Sequence, residues 1–456
     1  MNVRPAIRNL AIVCAVILIP VATHQLWDYL ELRRLIAEVE AIRAKREPVT
    51  ELEAGLGRSP ERGEPQRAGR LYMAAAILAA NEDYSVFPLL SGIREWLSGA
   101  IAEPPATAGE QLQAVIAKST EALALADEAG SLRFQGFPAG TAYNYRTADL
   151  YSLSRLMAAR TIGLAVRGEG DAAIQSAIST LRMRRVSGDL RWFTGFSDGQ
   201  EVAAILSLAQ PTPEALRRLQ EAMADGPDRV VDDVLFDRAR SVEEVWRRYY
   251  GGSPQAPSRY LLPNRGVLET VMRPWITRQI THTLRVWAEL VEAASTPWPA
   301  RVDAAAAMAS KHGRGVDGRT STPVGPVAAI LRGAHYQRLG AYQTFALIVR
   351  PDDLVNQRAS VAAIAVERYR RDHAGALPGG LQDLVPQYLD AVPQDPVTGQ
   401  ALLFKKEARS YTIYSVGTDK QDNGGDLNSE LLQVIKQGHG RRTIRGADLG
   451  VRVVLR

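Results

Sequence analysis

The stretch Arg358 to Asp426, RASVAAIAVERYRRDHAGALPGGLQDLVPQYLDAVPQDPVTGQALLFKKEARSYTIYSVGTDKQDNGGD, decides how the fold is read. Upstream and within it, Leu354, Val355, Val361, Ala362, Ala365 and Tyr369 recur at helical spacing and predict a helix over 354–372. Glu367, Arg368, Arg370 and Arg371 are then available for its wet face. Gly375 stands where a left-handed cap belongs, and Pro378 forbids continuation. Leu381, Leu384, Val385 and Leu389 mark a short second helix limited by Pro386. Pro393 and Pro396 fix the backbone around Asp395, whose side chain can bond its own turn. Thr398-Gly399 turns the chain into Ala401–Phe404. Ser410 to Val416 alternates as a strand, with Tyr411 and Tyr414 on opposite faces.

The stretch ends in Gly417-Thr-Asp419-Lys-Gln-Asp422-Asn423-Gly-Gly-Asp426. Three carboxylates and one amide carbonyl so close together repel one another in a closed loop unless a cation joins them. Ca²⁺ takes six to eight oxygens from such groups. The spacing is not that of an EF-hand, which needs ligands at alternate positions and a closing Glu. Two readings stand: a calcium loop built on Asp419, Asp422, Asn423 and Asp426, or a solvated Asp/Asn/Gly turn.

Tyr369 with His373 and Gly375, Leu377-Pro378, Leu381 and Leu384, Pro393-x-Asp395-Pro396, and Tyr411-x-x-Tyr414-Ser415-x-Gly417-x-Asp419 follow one another in a telling order. That order resembles the soluble domain of the type II secretion major pseudopilin over roughly the last hundred residues. The resemblance implies a small α+β domain whose loop after Ser-x-Gly-x-Asp binds calcium. It matches Asp419 to the first loop Asp and Asp448-Leu449 to the closing pair, while Asp422 and Asp426 have no assigned counterpart. This chain departs from the family by an insertion, Leu427–Ala447, by the cation Lys420, and by lacking the N-terminal processing signal. The expectation is therefore a pseudopilin-like part that is not a processed, polymerising subunit.

The remaining chain reads as an anchor and a helical body placed ahead of that domain. Its 456 residues are 46% hydrophobic and 23% charged, the balance of an ordinary globular protein. The net charge is +5, carried mostly by scattered Arg, with no basic stripe interleaved with aromatics, so a nucleic-acid partner is not expected. The one cysteine, Cys14, excludes a disulfide within the chain. Leu10 to Ala22 is uninterrupted apolar and reaches the length of a short membrane span when Trp27 is counted as an interfacial aromatic. No small-x-small cleavage site follows, so an uncleaved anchor is expected, with residues 9–27 in lipid. Arg4 and Arg8 would hold the N-terminus in the cytoplasm and place the bulk in the periplasm of a bacterial inner membrane. Leu32, Leu35, Val39 and Ile42, spaced 3-4-3, predict a stalk or a helix-pairing face.

From Arg67 to about Arg350 the pattern is helical: 67–80, 87–101, 108–129, 146–166, 171–185, 201–209, 213–224, 231–250, 267–294 and 324–348. Leu153, Leu156, Met157 and Leu164 pass through Gly168-Glu-Gly-Asp171 into Ala173, Ile174, Ala177, Ile178 and Leu181. That hairpin weakly resembles a tetratricopeptide unit, but no 34-residue partners recur, so an irregular bundle of hairpins is the expected body. The fold class is thus mainly α, in four parts: anchor 1–27, juxtamembrane helix and linker 28–65, helical body 66–350, and α+β domain 351–456.

Motifs that resemble chemistry are placed badly for it. Gly195-Phe-Ser197-Asp-Gly199 fits the nucleophile elbow, which needs a strand before Ser197, where a helix is predicted. Gly313-Arg-Gly315-Val-Asp-Gly318 lacks the strand and helix that a dinucleotide loop requires. The six histidines have no zinc spacing. The charges of Glu243, Glu244, Arg247 and Arg248 suit ion pairs on a helix surface. The expected function is non-enzymatic, a structural or docking part of an envelope or secretion assembly with protein partners and no small-molecule substrate. A peptide-binding scaffold unrelated to secretion is the rival, and a serine hydrolase on Ser197 a distant third.

Overall fold

The computed structural model describes residues 4–50, 67–80, 83–134, 143–186, 197–224, 231, 234–235, 238–239, 242, 267–311, 351–417, 419–427 and 448–455. At some helix positions, residues 4–15 among them, it describes the backbone alone. The chain is mainly helical and forms two compact units, residues 1–55 with 231–295 and 322–345, and residues 56–230 with 296–321 and 346–456. The grouping parts between 345 and 346, near the boundary suggested by sequence, and it also joins 346–456 to residues 56–230 in one unit.

In the first unit, α1 (Arg4–Ala44) runs unbroken through Pro20. Leu35, Val39 and Ile42 are buried together with Val49, Val242, Ile280 and Leu284, so the 3-4-3 spacing marks a helix-pairing face. Its partner is a long helix of the same unit, Val267–Ser295. Two ion pairs fix the register and make the helices parallel: Arg273 with Asp28, and Arg285 with Glu38 at 2.6 Å. Arg238 is wholly buried and donates to Glu47 Oε2 at 2.6 Å and to the Pro48 carbonyl, which ties off the end of the helix.

The second unit begins with α2 (Arg67–Ala79), α3 (Asp83–Leu97), α4 (Ala108–Lys118) and α5 (Thr120–Ser131). The predicted single helix over 108–129 is interrupted at Ser119, whose amide is shared between the Val115 and Ile116 carbonyls. Next come α6 (Tyr143–Val166) and α7 (Gly170–Val186), the expected hairpin, with Leu153, Leu156, Met157, Ala173, Ile174 and Ala177 at 2% exposure or less. Its turn docks onto the approach to α9 (Pro213–Ala224), which follows α8 (Asp198–Leu208). Asp171 accepts from the Thr212 amide at 2.6 Å and from its hydroxyl at 2.8 Å, while Gly170 lies against the Pro211 backbone with no room for a Cβ. In chain order α10 is the Val267–Ser295 helix of the first unit, and α11 (Ala300–Lys311), which sequence patterning did not predict, belongs to the second.

The predicted helix over 354–372 is α12 (Asp352–Asp372), and it is the axis of the second unit. Residues 362 to 367 are buried consecutively, because α8 and α9 cover the side left over by the sheet. The expected wet face is corrected accordingly. Glu367 is 7% exposed and accepts from the Tyr411 hydroxyl at 2.9 Å and from Arg370, while Arg368 donates to Gln220 of α9 at 2.8 Å. Helix α12 ends at Asp372, Ala374 (φ +52°) and Gly375 (φ +87°) make the left-handed turn after it, and the short second helix is one 3₁₀ turn, Leu381–Leu384. Strands β1 (Leu403–Lys406), β2 (Ser410–Ser415) and β3 (Leu449–Val454) form an antiparallel sheet with β2 in the middle. Every residue of β2 is buried, since the strand has a neighbour on each edge and α12 on one face.

Candidate functional site

The acidic loop leaves β2 at Gly417 and returns at Asp448, next to β3. Gly417, Gly424 and Gly425 take positive φ, and so does Lys420 (φ +58°), which lets the chain fold back tightly. Asp448 is 2% exposed and closes the loop: Oδ1 accepts from the Asn423 amide at 3.2 Å and Oδ2 from the Gly425 amide at 2.7 Å. Its own amide donates to the Asp426 carbonyl at 3.1 Å. Asp422 Oδ1 accepts from the Gly424 amide at 2.8 Å and from the Tyr414 hydroxyl at 3.2 Å, whereas Asp419 caps the Gln421 amide. Lys420 points away from these acids and meets Asp303 of α11 at 3.3 Å.

Burial raises the Asp448 carboxyl above the usual Asp range, against the pull of its two backbone donors, and the charges of Asp422 and Asp419 raise it further. Burial, then the charge and hydrogen bond of Asp422 and the charge of Asp448, push the Tyr414 phenol up to about 12. The acids therefore lie near enough to repel one another. They do not, however, converge into a cage: among the described residues no group of three or more His, Cys, Asp or Glu side chains is arranged to hold a metal ion. The structure thus brings Asp422, Asn423, Asp426 and Asp448 together through backbone hydrogen bonds and leaves Asp419 in its own small turn.

Asp395, read from sequence as a turn residue, does more than bond its own turn. It is 3% exposed and accepts from the Val397 amide at 2.8 Å, the Thr398 hydroxyl at 3.1 Å and the Ser415 hydroxyl at 2.8 Å. It thereby holds the Pro393–Pro396 turn against the end of β2, one residue from where the acidic segment starts. That long-range bond to Ser415 had no signal in the sequence beyond the two polar residues themselves.

Ser197 has a structural explanation. It is the N-cap of α8: its hydroxyl accepts from the Gln200 amide at 3.2 Å, and its amide donates to Gln200 Oε1 at 2.9 Å, a reciprocal capping box. Gly199 is small because a Cβ there would meet Asn356 of α12 at 3.0 Å and Val451 of β3 at 3.1 Å. Ser197 and Gly199 of the G-x-S-x-G motif thus serve a helix start packed on α12 and β3. Gly313–Gly318, and the segments 243–250 and 324–348, lie outside the described residues, as do most of the aromatic loops at 130–147 and 251–265.

The buried polar centre that patterning missed is Arg184 with Glu201. Arg184, on α7, donates to Asp198, to Glu201 Oε2 at 3.1 Å and to Ser154 Oγ of α6 at 2.9 Å. Arg184 and Glu201 side chains are each 3% exposed. Burial pushes the Glu201 carboxyl up against the attraction of Arg184 and the hydroxyls of Thr161 and Thr180, while Asp198 and Glu201 hold Arg184 protonated against its own burial. This joins α6, α7 and α8 through buried charges and acts as an ionic clamp between them. Comparison with protein-family models, curated proteins and solved structures returned no match for this chain.

Proposed function

We propose that this protein is a single-pass membrane-anchored component of a bacterial envelope assembly, with its second compact unit acting as a structural or docking part. The observation that carries the reading is the first half of α1. Val16, Leu18, Ile19 and Val21 are 53 to 67% exposed, and these positions go round the helix without leaving one covered stripe. An isolated helix that is apolar all round belongs in lipid or in a core. Leu26, Trp27, Tyr29 and Leu30 extend the exposed apolar surface to the level at which α10 begins to cover the helix. Among the described residues no helix is long and apolar enough to cross a membrane. Side chains of residues 4–15, which hold the first part of the Leu10–Ala22 run, are outside that set.

The test is membrane fractionation of the full chain, followed by a topology reporter. Carbonate washing should leave the protein in the pellet, and a reporter active only in the periplasm should be active when fused after Arg456. Introducing Arg at both Val16 and Ile19 should release the protein to the supernatant, because each buried charge costs about 2.5–3.5 kcal/mol at the centre of a span. Extraction of the wild-type chain, or a silent reporter, would refute the anchor or its orientation.

The resemblance of 351–456 to the pseudopilin soluble domain supports the secretion-type assembly as the setting, and calcium enters as a proposal of the same resemblance. Mutual repulsion of Asp419, Asp422 and Asp448 is what a divalent cation would relieve, although the side chains must turn outward from their present bonds to reach one. Ca²⁺ at a hundredfold excess over its Kd adds about 2.7 kcal/mol to the folded state. In a unit of this size that raises the melting temperature by roughly 5 °C or more, and Asp419→Ala should abolish the shift. Coincident melting curves in Ca²⁺ and in chelator would leave hydrogen bonds as the only closure of the loop.

A further inference from the structure

Immediately beyond the apolar half of α1, a groove of about 700 Å³ opens between α1 and α10, lined by Glu31, Arg34, Arg278, Thr281, His282 and Arg285. Its charges are unevenly spent. Glu31 is engaged by Arg34 at 2.8 Å and by the Trp27 indole at 3.3 Å, so the one acid in the groove is already neutralised. Arg285 pairs at the rim with Glu38 but keeps 62% of its side chain exposed, as Arg34 keeps 61%. Arg278 is exposed and has no ion pair among the described residues. Of the three guanidinium groups at the cavity, Arg34 answers Glu31 and Arg285 answers Glu38, each with most of its side chain exposed, and Arg278 brings a further charge. Thr281 and His282 add a hydroxyl and an imidazole to the wall.

Position selects the ligand. Because α1 and α10 run parallel, the groove lies one to two helical turns past Trp27 and the Asp28–Arg273 pair, where the apolar surface of α1 gives way to polar residues. If residues 9–27 are in lipid, guanidinium groups at that height stand in the headgroup layer. Arginine forks bind phosphate oxygens by paired N–H donors. We propose that this groove is a binding site for the phosphate of an anionic phospholipid headgroup, held chiefly by Arg34 and Arg278, which fixes the depth and rotation of the α1–α10 pair at the membrane surface. The proposal rests on the anchor reading, and a free inorganic phosphate would satisfy the same donors less well because it brings no acyl chains to the apolar face of α1.

The experiment uses the full chain in neutral detergent, titrated with short-chain phosphatidylglycerol, short-chain phosphatidylcholine and inorganic phosphate, with binding followed by tryptophan fluorescence. Saturable binding of phosphatidylglycerol is expected, at least tenfold tighter than either of the others. Each basic residue near an anionic lipid surface contributes roughly a fivefold factor, so Arg34→Gln with Arg278→Gln should weaken binding about 25-fold. Both residues are exposed, but Arg34→Gln takes the ion-pair partner from the buried Glu31, so folding is verified by a retained cooperative melt. Arg278→Gln alone, which leaves no acid unpaired among the described residues, should weaken binding about fivefold. Arg217→Gln, an exposed surface charge in the other unit, should leave the affinity unchanged. Equal binding of the two lipids, equal binding of inorganic phosphate, or an undiminished affinity in the double variant would overturn the inference. Carbonate extraction keeps the two readings apart: a pelleted protein without lipid discrimination sinks the groove alone, and an extracted protein that still selects phosphatidylglycerol sinks the anchor alone.

Discussion

Gly450→Ala is expected to detach β3 and to cost the second unit about 3–6 kcal/mol. A Cβ built at Gly450 would lie 2.1 Å from the Ile413 carbonyl oxygen and 2.7 Å from Tyr414 Cα, both backbone atoms of the central strand. Real Cβ atoms do not approach backbone so closely, and a main chain cannot swing aside as a flexible side chain does. The strands must therefore separate along the Ser410–Val454 to Ser415–Leu449 ladder. Val451 and Val453, at 2% and 0% exposure, then lose their cover, and each buried valine is worth about 1.5–3 kcal/mol. Gly380→Ala serves as the comparison, since nothing lies within 4 Å of a Cβ there and its φ is extended. Hydrogen exchange of 410–415 and 449–454 peptides should be near wild type in Gly380→Ala and lose protection in Gly450→Ala. Wild-type exchange in Gly450→Ala would mean that the two strands are not paired as described.

The same strand shows how far the chain could be read without coordinates. Val451 and Val453 alternate with Gly450 and Arg452, which is the period of a strand, but the segment follows a long polar insertion and its value as the closing strand of a sheet depends on a partner nearly forty residues away. Local periodicity does carry α12, the α6–α7 hairpin and the cap at Gly375, because those elements are specified by residues three or four apart. It could not carry the environment of α12. Glu367 and Arg368 look wet in a helical projection, and the first is buried and the second half-buried because α8, α9 and β2, from more than forty residues away on either side, close over them. For the same reason periodicity could not show that α8 packs with the C-terminal part: the apolar residues of α8 and of α12 fill one core with Val451 and Val453.

The acidic loop illustrates a different limit. Composition shows that Asp419, Asp422 and Asp426 repel and must be answered by something. It does not show whether a cation or the peptide N–H groups of the loop give the answer. In the structure backbone donors reach Asp422 and Asp448 first, since glycines at 424 and 425 with positive φ turn those amides inward. The sign of a charge pattern is legible in sequence, and its partner is a matter of backbone direction.

Arg184→Met is expected to destabilise the second unit by about 3–5 kcal/mol at pH 7, the range for removing one partner of a buried pair. The methionine fills similar volume, so little of the loss comes from packing. What remains is the Glu201 carboxylate, 2% exposed, with Oε1 already lacking a hydrogen-bond partner among the described residues and the nearby Thr161 and Thr180 hydroxyls donating to the Met157 and Ser176 carbonyls. Asp198 suffers less, because it is 30% exposed and sits in the first turn of α8, where the helix dipole favours an acid. Burial already raises Glu201 in the intact clamp, and loss of the cation raises it further. An acid whose folded pKa lies above its unfolded one binds more protons when folded, so the destabilisation should shrink as pH falls from 7 through the folded pKa of Glu201. Adding Glu201→Leu removes the stranded charge and should recover most of the loss, to within about 1 kcal/mol of wild type, because apolar replacements of buried pairs are often neutral. Urea-dependent hydrogen exchange of α6–α8 peptides isolates this unit from the first. A loss under 1 kcal/mol in Arg184→Met, or additive losses in the double variant, would show that Arg184 and Glu201 do not act as a pair.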